Sequence, residues 1–201
     1  MRTIKYTLAI VAFCLTIPCL RAQETAAKLS EAEKAFAEKN YDNTRFALQQ
    51  ALLEINKAIG KDILDILPKK LNDLNFNEKD DNISGAAGIA GLFVSRSYGA
   101  AEKSGSLEIM SDSPMLTSLN ALLSMPAMMG ASDPNQKRIK VNGYKSLLQK
   151  GAGENGIVTY DLQIPMNQTL VSLRLKGIPA ENDVITIANS LPLDQIAKLA
   201  K

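Results

Sequence analysis

Histidine and tryptophan are absent from the 201 residues, and only two cysteines, Cys14 and Cys19, are present. Without imidazole the chain lacks the side chain that most often serves as a general base near neutral pH. Both cysteines sit in an apolar run that reads as a removable leader, so the mature chain has neither a thiolate nor a disulfide. Zinc of the usual kind loses both of its favoured ligand types. Serine with lysine, or paired carboxylates, remain as routes to chemistry, but Ser111, Ser113 and Ser118 have no evident activating base. No catalytic set, no metal site and no cofactor are expected.

The leader is read from its three parts. MRTIKY carries Arg2 and Lys5, LAIVAFCLTIPCL is apolar, and Arg21-Ala22-Gln23 follows where small residues permit cleavage. Residues 1–22 are therefore expected to be a signal peptide, which places the mature chain in the periplasm or outside the cell. Phe13 and Pro18 stand where a lipidated cysteine needs a small residue before it. A membrane-spanning helix needs about 20 apolar residues; this run is shorter and no second candidate follows, so no transmembrane segment is expected in the mature chain.

Charge of either sign is also scarce in excess. The formal charge is +2, from 23 basic and 21 acidic residues. Removing Arg2, Lys5 and Arg21 with the leader turns +2 into −1. Nucleic-acid binding draws on a basic face, and the spacing of Lys and Arg along the chain offers none, so no nucleic-acid partner is expected.

What is present divides in four: the leader, a helical region over 24–68, a flexible connector over 69–91 and an α+β sheet domain over 92–201. Ser30 with Glu33 forms a capping-box pattern. Beyond the Asn40–Asn43 break, Leu48, Ala51, Leu52, Ile55, Ile59, Ile63 and Ile66 recur at spacings of three and four, which predicts an amphipathic helix with that strip buried. Gly60 is a cost within it and Pro68 marks its end. Helix, break, helix predicts a helical hairpin or a bent rod.

The connector is polar and then small. Gly85, Gly88 and Gly91 lack the Lys-Ser or Lys-Thr of a phosphate loop, and Asp80-Asp81-Asn82 lacks the alternating ligands of a calcium loop, so both read as solvated surface. After Gly91 the period changes to two. Runs at 92–98, 106–112, 138–148, 157–164 and 170–176 alternate apolar and polar residues, Asn142-Gly143 has the chemistry of a two-residue hairpin turn, and helices are expected after Asp112-Ser113-Pro114 and over 183–191. Adjacent Leu147 and Leu148 call for a bulge or for a strand buried on both faces. The fold class is α+β: an antiparallel β-sheet covered on one face by helices, with the N-terminal helices as a hairpin or rod.

That order of runs, with VNGYK at a turn, a tyrosine-bearing strand and a final helix reading Ala-Asn-Ser-Leu, resembles the small exported proteins of the PsbP/Mog1-like fold over about half of the chain. The resemblance implies an antiparallel sheet backed by helices, with a polar face left for partners. The N-terminal helical region is not part of that fold, and no catalytic or metal set comes with it.

Six residues are candidates for ligand binding. Arg96 and Tyr98 share the inward parity of Leu92 and Val94, and an inward arginine must emerge at a strand end, pair with an acid or meet an anionic ligand. Asp112 and Glu108 are the first acids to consider as its partner. Met125, Met128 and Met129 cluster with Met115 around Pro126, a flexible apolar patch suited to filling an uneven core or adapting to a partner. The functional expectation is a non-catalytic secreted or periplasmic accessory protein that binds another protein or itself. The alternative is a carrier or sensor of a small apolar or anionic ligand in a cleft between sheet and helices.

Overall fold

A computed structural model describes residues 17–85, 91–125 and 133–200. The chain divides into two compact units after Ala58. Among the described residues, no helix is long and apolar enough to cross a membrane.

The first unit is helical. Helix α1 spans Ile17–Ala37 and helix α2 begins at Tyr41 and runs to Ile66. Lys39 takes a positive φ of 59°, and the N–H groups of Lys39 and Asn40 donate to the carbonyls of Phe36 and Ala35, which satisfies the last carbonyls of α1. Asn40 then caps α2, its Oδ1 accepting from the Asn43 N–H at 3.2 Å. Phe36 and Tyr41 meet edge to face across this turn, ring centres 6.1 Å apart.

Burial here falls on small residues. Ala32, Ala35, Ala47 and Ala51 are buried, two on each side of Tyr41. The strip expected to be buried behaves differently along its length: Ala51 and Ile63 are buried and Ile59 and Ile66 partly so, whereas Leu48, Leu52 and Ile55 are exposed. The reason is rotational. Ala47 and Ala51 lie about 60–100° around the helix from Leu48, and the alanine face is the one the fold covers.

The second unit is built on a seven-stranded antiparallel sheet. Its strands are β3 (Asn82–Gly85), β4 (Leu92–Ala100), β5 (Lys103–Ser111), β6 (Gln136–Val141), β7 (Tyr144–Ala152), β8 (Val158–Met166) and β9 (Thr169–Lys176), in the spatial order β3-β4-β5-β9-β8-β7-β6. A separate small hairpin pairs β1 (Lys70–Leu71) with β2 (Leu74–Asn75). Alternation decides the faces. Tyr160, Leu162 and Ile164 on β8, with Val171, Leu173 and Leu175 on β9, share one buried layer, and Val158 packs partly buried against it. Each fully buried aliphatic contributes roughly 1.5–3 kcal/mol.

Helices roof this layer. Helix α4 (Glu181–Asn189) inserts Val184, Ile187 and Ala188, and helix α5 (Leu193–Leu199) inserts Leu193 and Ile196. Cross-strand partners Ser111 and Thr169 both donate hydroxyls to the Ala200 carbonyl, at 3.3 and 3.0 Å, which fastens the end of α5 to the sheet. The turn Asn142-Gly143 has φ of 48° and 88°, as a two-residue hairpin requires. It is tied down too: the Asn142 N–H donates to Asn189 Oδ1 and its Nδ2 to the Leu191 carbonyl. That hairpin end is scaffold.

The opposite face is polar over most of its area, with Arg174 and Asp161 paired across β9 and β8 at 2.6 Å. One patch is dry. Helix α3 (Met115–Ser124) sets Leu116, Leu119 and Leu123 on Leu147 and Leu170. Leu147 thus faces α3 while Leu148 faces the main core, and the registers of β7 with β6 and with β8 run without interruption. Of the two expectations for these adjacent leucines, burial on both faces holds and there is no bulge.

The stretch expected to be a connector is instead structured as far as Gly85. It holds β1, β2, a 3-10 turn over Glu78–Asp80 and β3, which pairs with β4 from Asn82↔Ser95 to Gly85↔Leu92. Polar composition hid it because β3 is an edge strand of four residues with no buried side chain. Gly60 also has a use beyond its helical cost. A Cβ there would lie 2.5 Å from Ile83 Cγ2 and 3.3 Å from Leu92 Cδ1. Gly60→Ala regains about 1 kcal/mol of helix propensity but forces Ile83 aside at about 1–3 kcal/mol. A net loss of about 1 kcal/mol is expected in urea unfolding, and Ile83→Val should relieve part of it.

Candidate functional site

Pro68 ends α2, and the carbonyls of Leu67 and Pro68 have no partner within the helix. Two side chains of β4 meet them. Arg96 Nη1 donates to the Leu67 carbonyl at 3.2 Å, and Tyr98 Oη donates to the Pro68 carbonyl at 2.9 Å. Residues two apart on a strand share a face, so the inward parity read from the sequence delivers both groups to one place.

Arg96 is committed further. Its Nε donates to Asp81 Oδ1 at 2.9 Å and its Nη2 to Asp81 Oδ2 at 2.6 Å, the bidentate geometry that carboxylate and guanidinium favour. Phe76 covers the guanidinium with its ring centre 4.9 Å away. Arg96 is only 5% exposed, so its cost of burial is met by an acid, a carbonyl and an aromatic face. The hydrogen bonds it donates to Asp81 raise its pKa above the ordinary arginine value. Tyr98, 1% exposed, is pushed up to about 12, chiefly because burial disfavours the phenolate.

The acid is Asp81, and neither Glu108 nor Asp112 serves. Glu108 is exposed, its parity on β5 placing it opposite Ser95 on the polar face. Asp112 lies beyond the Phe93↔Met110 rung, five residues from Leu107, the rung partner of Arg96, which is roughly 16 Å at strand rise. Its N–H donates to the Gln168 carbonyl at 2.7 Å, in a turn with φ of 54°. Met125 is exposed at the end of α3, on the opposite side of the sheet from Arg96. Met128 and Met129 lie outside the described residues. The four candidates among the described residues therefore resolve into one adjacent pair, Arg96 with Tyr98, and two residues placed elsewhere, Asp112 and Met125.

Beside the pair is an open cleft of about 410 Å³, lined by Lys61, Lys69, Asp65, Glu78, Leu64 and Phe76, with Asp81 and Arg96 at its base. Its charges are balanced: two lysines face two carboxylates over an internally neutralised ion pair. Such a cleft can hold a small molecule by polar contacts and the Leu64 and Phe76 surfaces. It contains no nucleophile beside a base, and among the described residues no group of three or more metal-ligating side chains converges. In the sequence Asp81 reads with Asp80 and Asn82 as solvated loop. The signal for it was the buried arginine itself, which demanded an acid. Compared with protein-family models, curated proteins and solved structures, the chain matches none.

Proposed function

We propose that the protein is a non-catalytic exported accessory factor, secreted or periplasmic, that binds another protein or a second copy of itself through its helical unit. The observation that carries this reading is the apolar stripe of α2. Tyr41, Leu48, Leu52 and Ile55 recur at spacings of seven, four and three on one side, and all are exposed, Leu52 by 56%. Phe36 and Phe46 add 62% and 58% exposed rings in the same unit. Contiguous apolar surface of this kind marks interaction sites, and an amphipathic helix offers its side chains as anchors one turn apart. The leader pattern at 1–22 supports export, and the resemblance of the last strands and helix to the PsbP/Mog1-like fold supports a sheet domain that presents a polar face.

Light scattering of the mature chain tests it. The expected result is a mass that rises with concentration, or a stable complex with a captured partner, and that falls to the monomer in Leu48→Asp with Leu52→Asp. Surface substitutions away from packed features change stability by no more than about 0.5 kcal/mol, so the variant should melt like the parent. A parent that stays monomeric and recovers no partner overturns the reading. The cleft beside Arg96 supports the alternative, carriage of a small ligand, and a native mass spectrum showing a retained small molecule would favour it.

A further inference from the structure

Strand β6 closes the sheet at one edge, pairing with β7 on its inner side and, among the described residues, with no strand on its outer side. Val141 and Tyr144 flank the two-residue turn as a hydrogen-bonded pair, so residues 137 and 139 bond inward and residues 136, 138 and 140 turn their N–H and C=O groups outward. The Lys150 N–H donating to the Asn135 carbonyl at 2.8 Å confirms the phase. The Gln136 N–H is taken by the Asp133 carbonyl, which leaves Arg138 and Lys140 presenting backbone groups outward.

The hairpin is also basic. Over residues 136–152 there are five cations, Lys137, Arg138, Lys140, Lys145 and Lys150, and no acid. Lys137 is paired with Glu181 and Lys150 lies over the Tyr160 ring, but Lys140 and Lys145 stand directly opposite each other, an unfavourable like-charge pair. Arg138 is on the same face. Its Nη1 donates to the Met125 carbonyl, while Nη2 is shut from solvent and has no hydrogen-bond partner among the described residues. A buried charged N–H without an acceptor is costly.

We infer that β6 docks an extended acidic polypeptide segment, which adds as an eighth strand and brings carboxylates to Lys140 and Lys145. Lysines on an edge strand ordinarily guard against pairing with a second copy. Here the same charges select a strand of opposite sign. Only a polypeptide satisfies both the outward backbone groups and the cations, which favours it over an anionic lipid surface. The inference goes beyond the helical stripe and uses none of its residues.

The probe is a fluorescent peptide of alternating glutamate and valine, titrated onto the mature protein at low salt. Saturable binding is expected, weakened about tenfold or more in Lys140→Glu by loss of charge complementarity. N-methylation of the peptide amides that face β6 should weaken it as strongly. Lys140→Glu places an acid opposite Lys145, so it should melt no lower than the parent, which separates lost binding from lost fold. Leu48→Asp with Leu52→Asp should leave peptide affinity unchanged, so this inference and the helical reading fail separately. Absence of saturable binding overturns the inference. Equal binding of the N-methylated peptide, or displacement of the peptide by anionic phospholipid vesicles alone, would show attraction by charge without strand addition and would overturn it too.

Discussion

Asp81→Ala is expected to cost about 3–5 kcal/mol of folding stability, the range for removing one partner of a buried ion pair. Arg96 would keep its bond to the Leu67 carbonyl and its contact with Phe76, yet two of its three nitrogens would lose their acceptor in a place that is 5% exposed. The melting temperature should fall on the order of 10 °C for a domain of this size. Two comparisons isolate the cause. Asp80→Ala removes an exposed acid one residue away and should change stability by no more than about 0.5 kcal/mol. Replacing both partners, Arg96→Met with Asp81→Leu, removes the stranded charge and should recover much of the loss. If Asp81→Ala costs no more than Asp80→Ala, the pair does not hold α2, β3 and β4 in place as described.

That pair also shows where the sequence was informative and where it was not. The parity of Arg96 and Tyr98 was legible because β4 alternates strictly, and it led to a cluster where two candidate residues meet. Their partners were not legible. Asp81 precedes a four-residue edge strand without a buried residue, so no periodicity announced it. The Leu67 and Pro68 carbonyls are backbone groups, which composition never reveals. The Asn142-Gly143 turn was readable because the positive φ values it needs restrict the residue types. The exposure of Leu48, Leu52 and Ile55 was hidden for a different reason: a helical period shows which residues share a side, while the covered side is chosen by tertiary packing, here the alanines at 47 and 51. The second apolar cluster, under α3, was announced by the helical spacing of Leu116, Leu119, Leu122 and Leu123 and by the adjacent leucines at 147 and 148.

Alkaline pH should destabilise the protein through Tyr98. An unfolded tyrosine ionises near pH 10, whereas Tyr98 in the folded protein is pushed up to about 12. Between those values the folded state holds a proton that the unfolded state has released, so stability is fully present below about pH 10 and falls as pH rises through about 12. Two units correspond to at most about 3 kcal/mol. The geometry agrees with the sign, because the phenolate could no longer donate to the Pro68 carbonyl and would be formed in a nearly solvent-free position. Tyr98→Phe removes the titrating group. At neutral pH it should be less stable than the parent by about 1–3 kcal/mol, since the Pro68 carbonyl is left without its donor. From about pH 10 upward the parent should then converge on the variant. Lysine deprotonation affects both proteins alike, so the difference between their denaturant unfolding curves, measured in steps across the alkaline range, reports Tyr98 alone. Parallel stability profiles for parent and Tyr98→Phe would show that Tyr98 ionises as freely folded as unfolded, and would remove the tyrosine from the clamp at the end of α2.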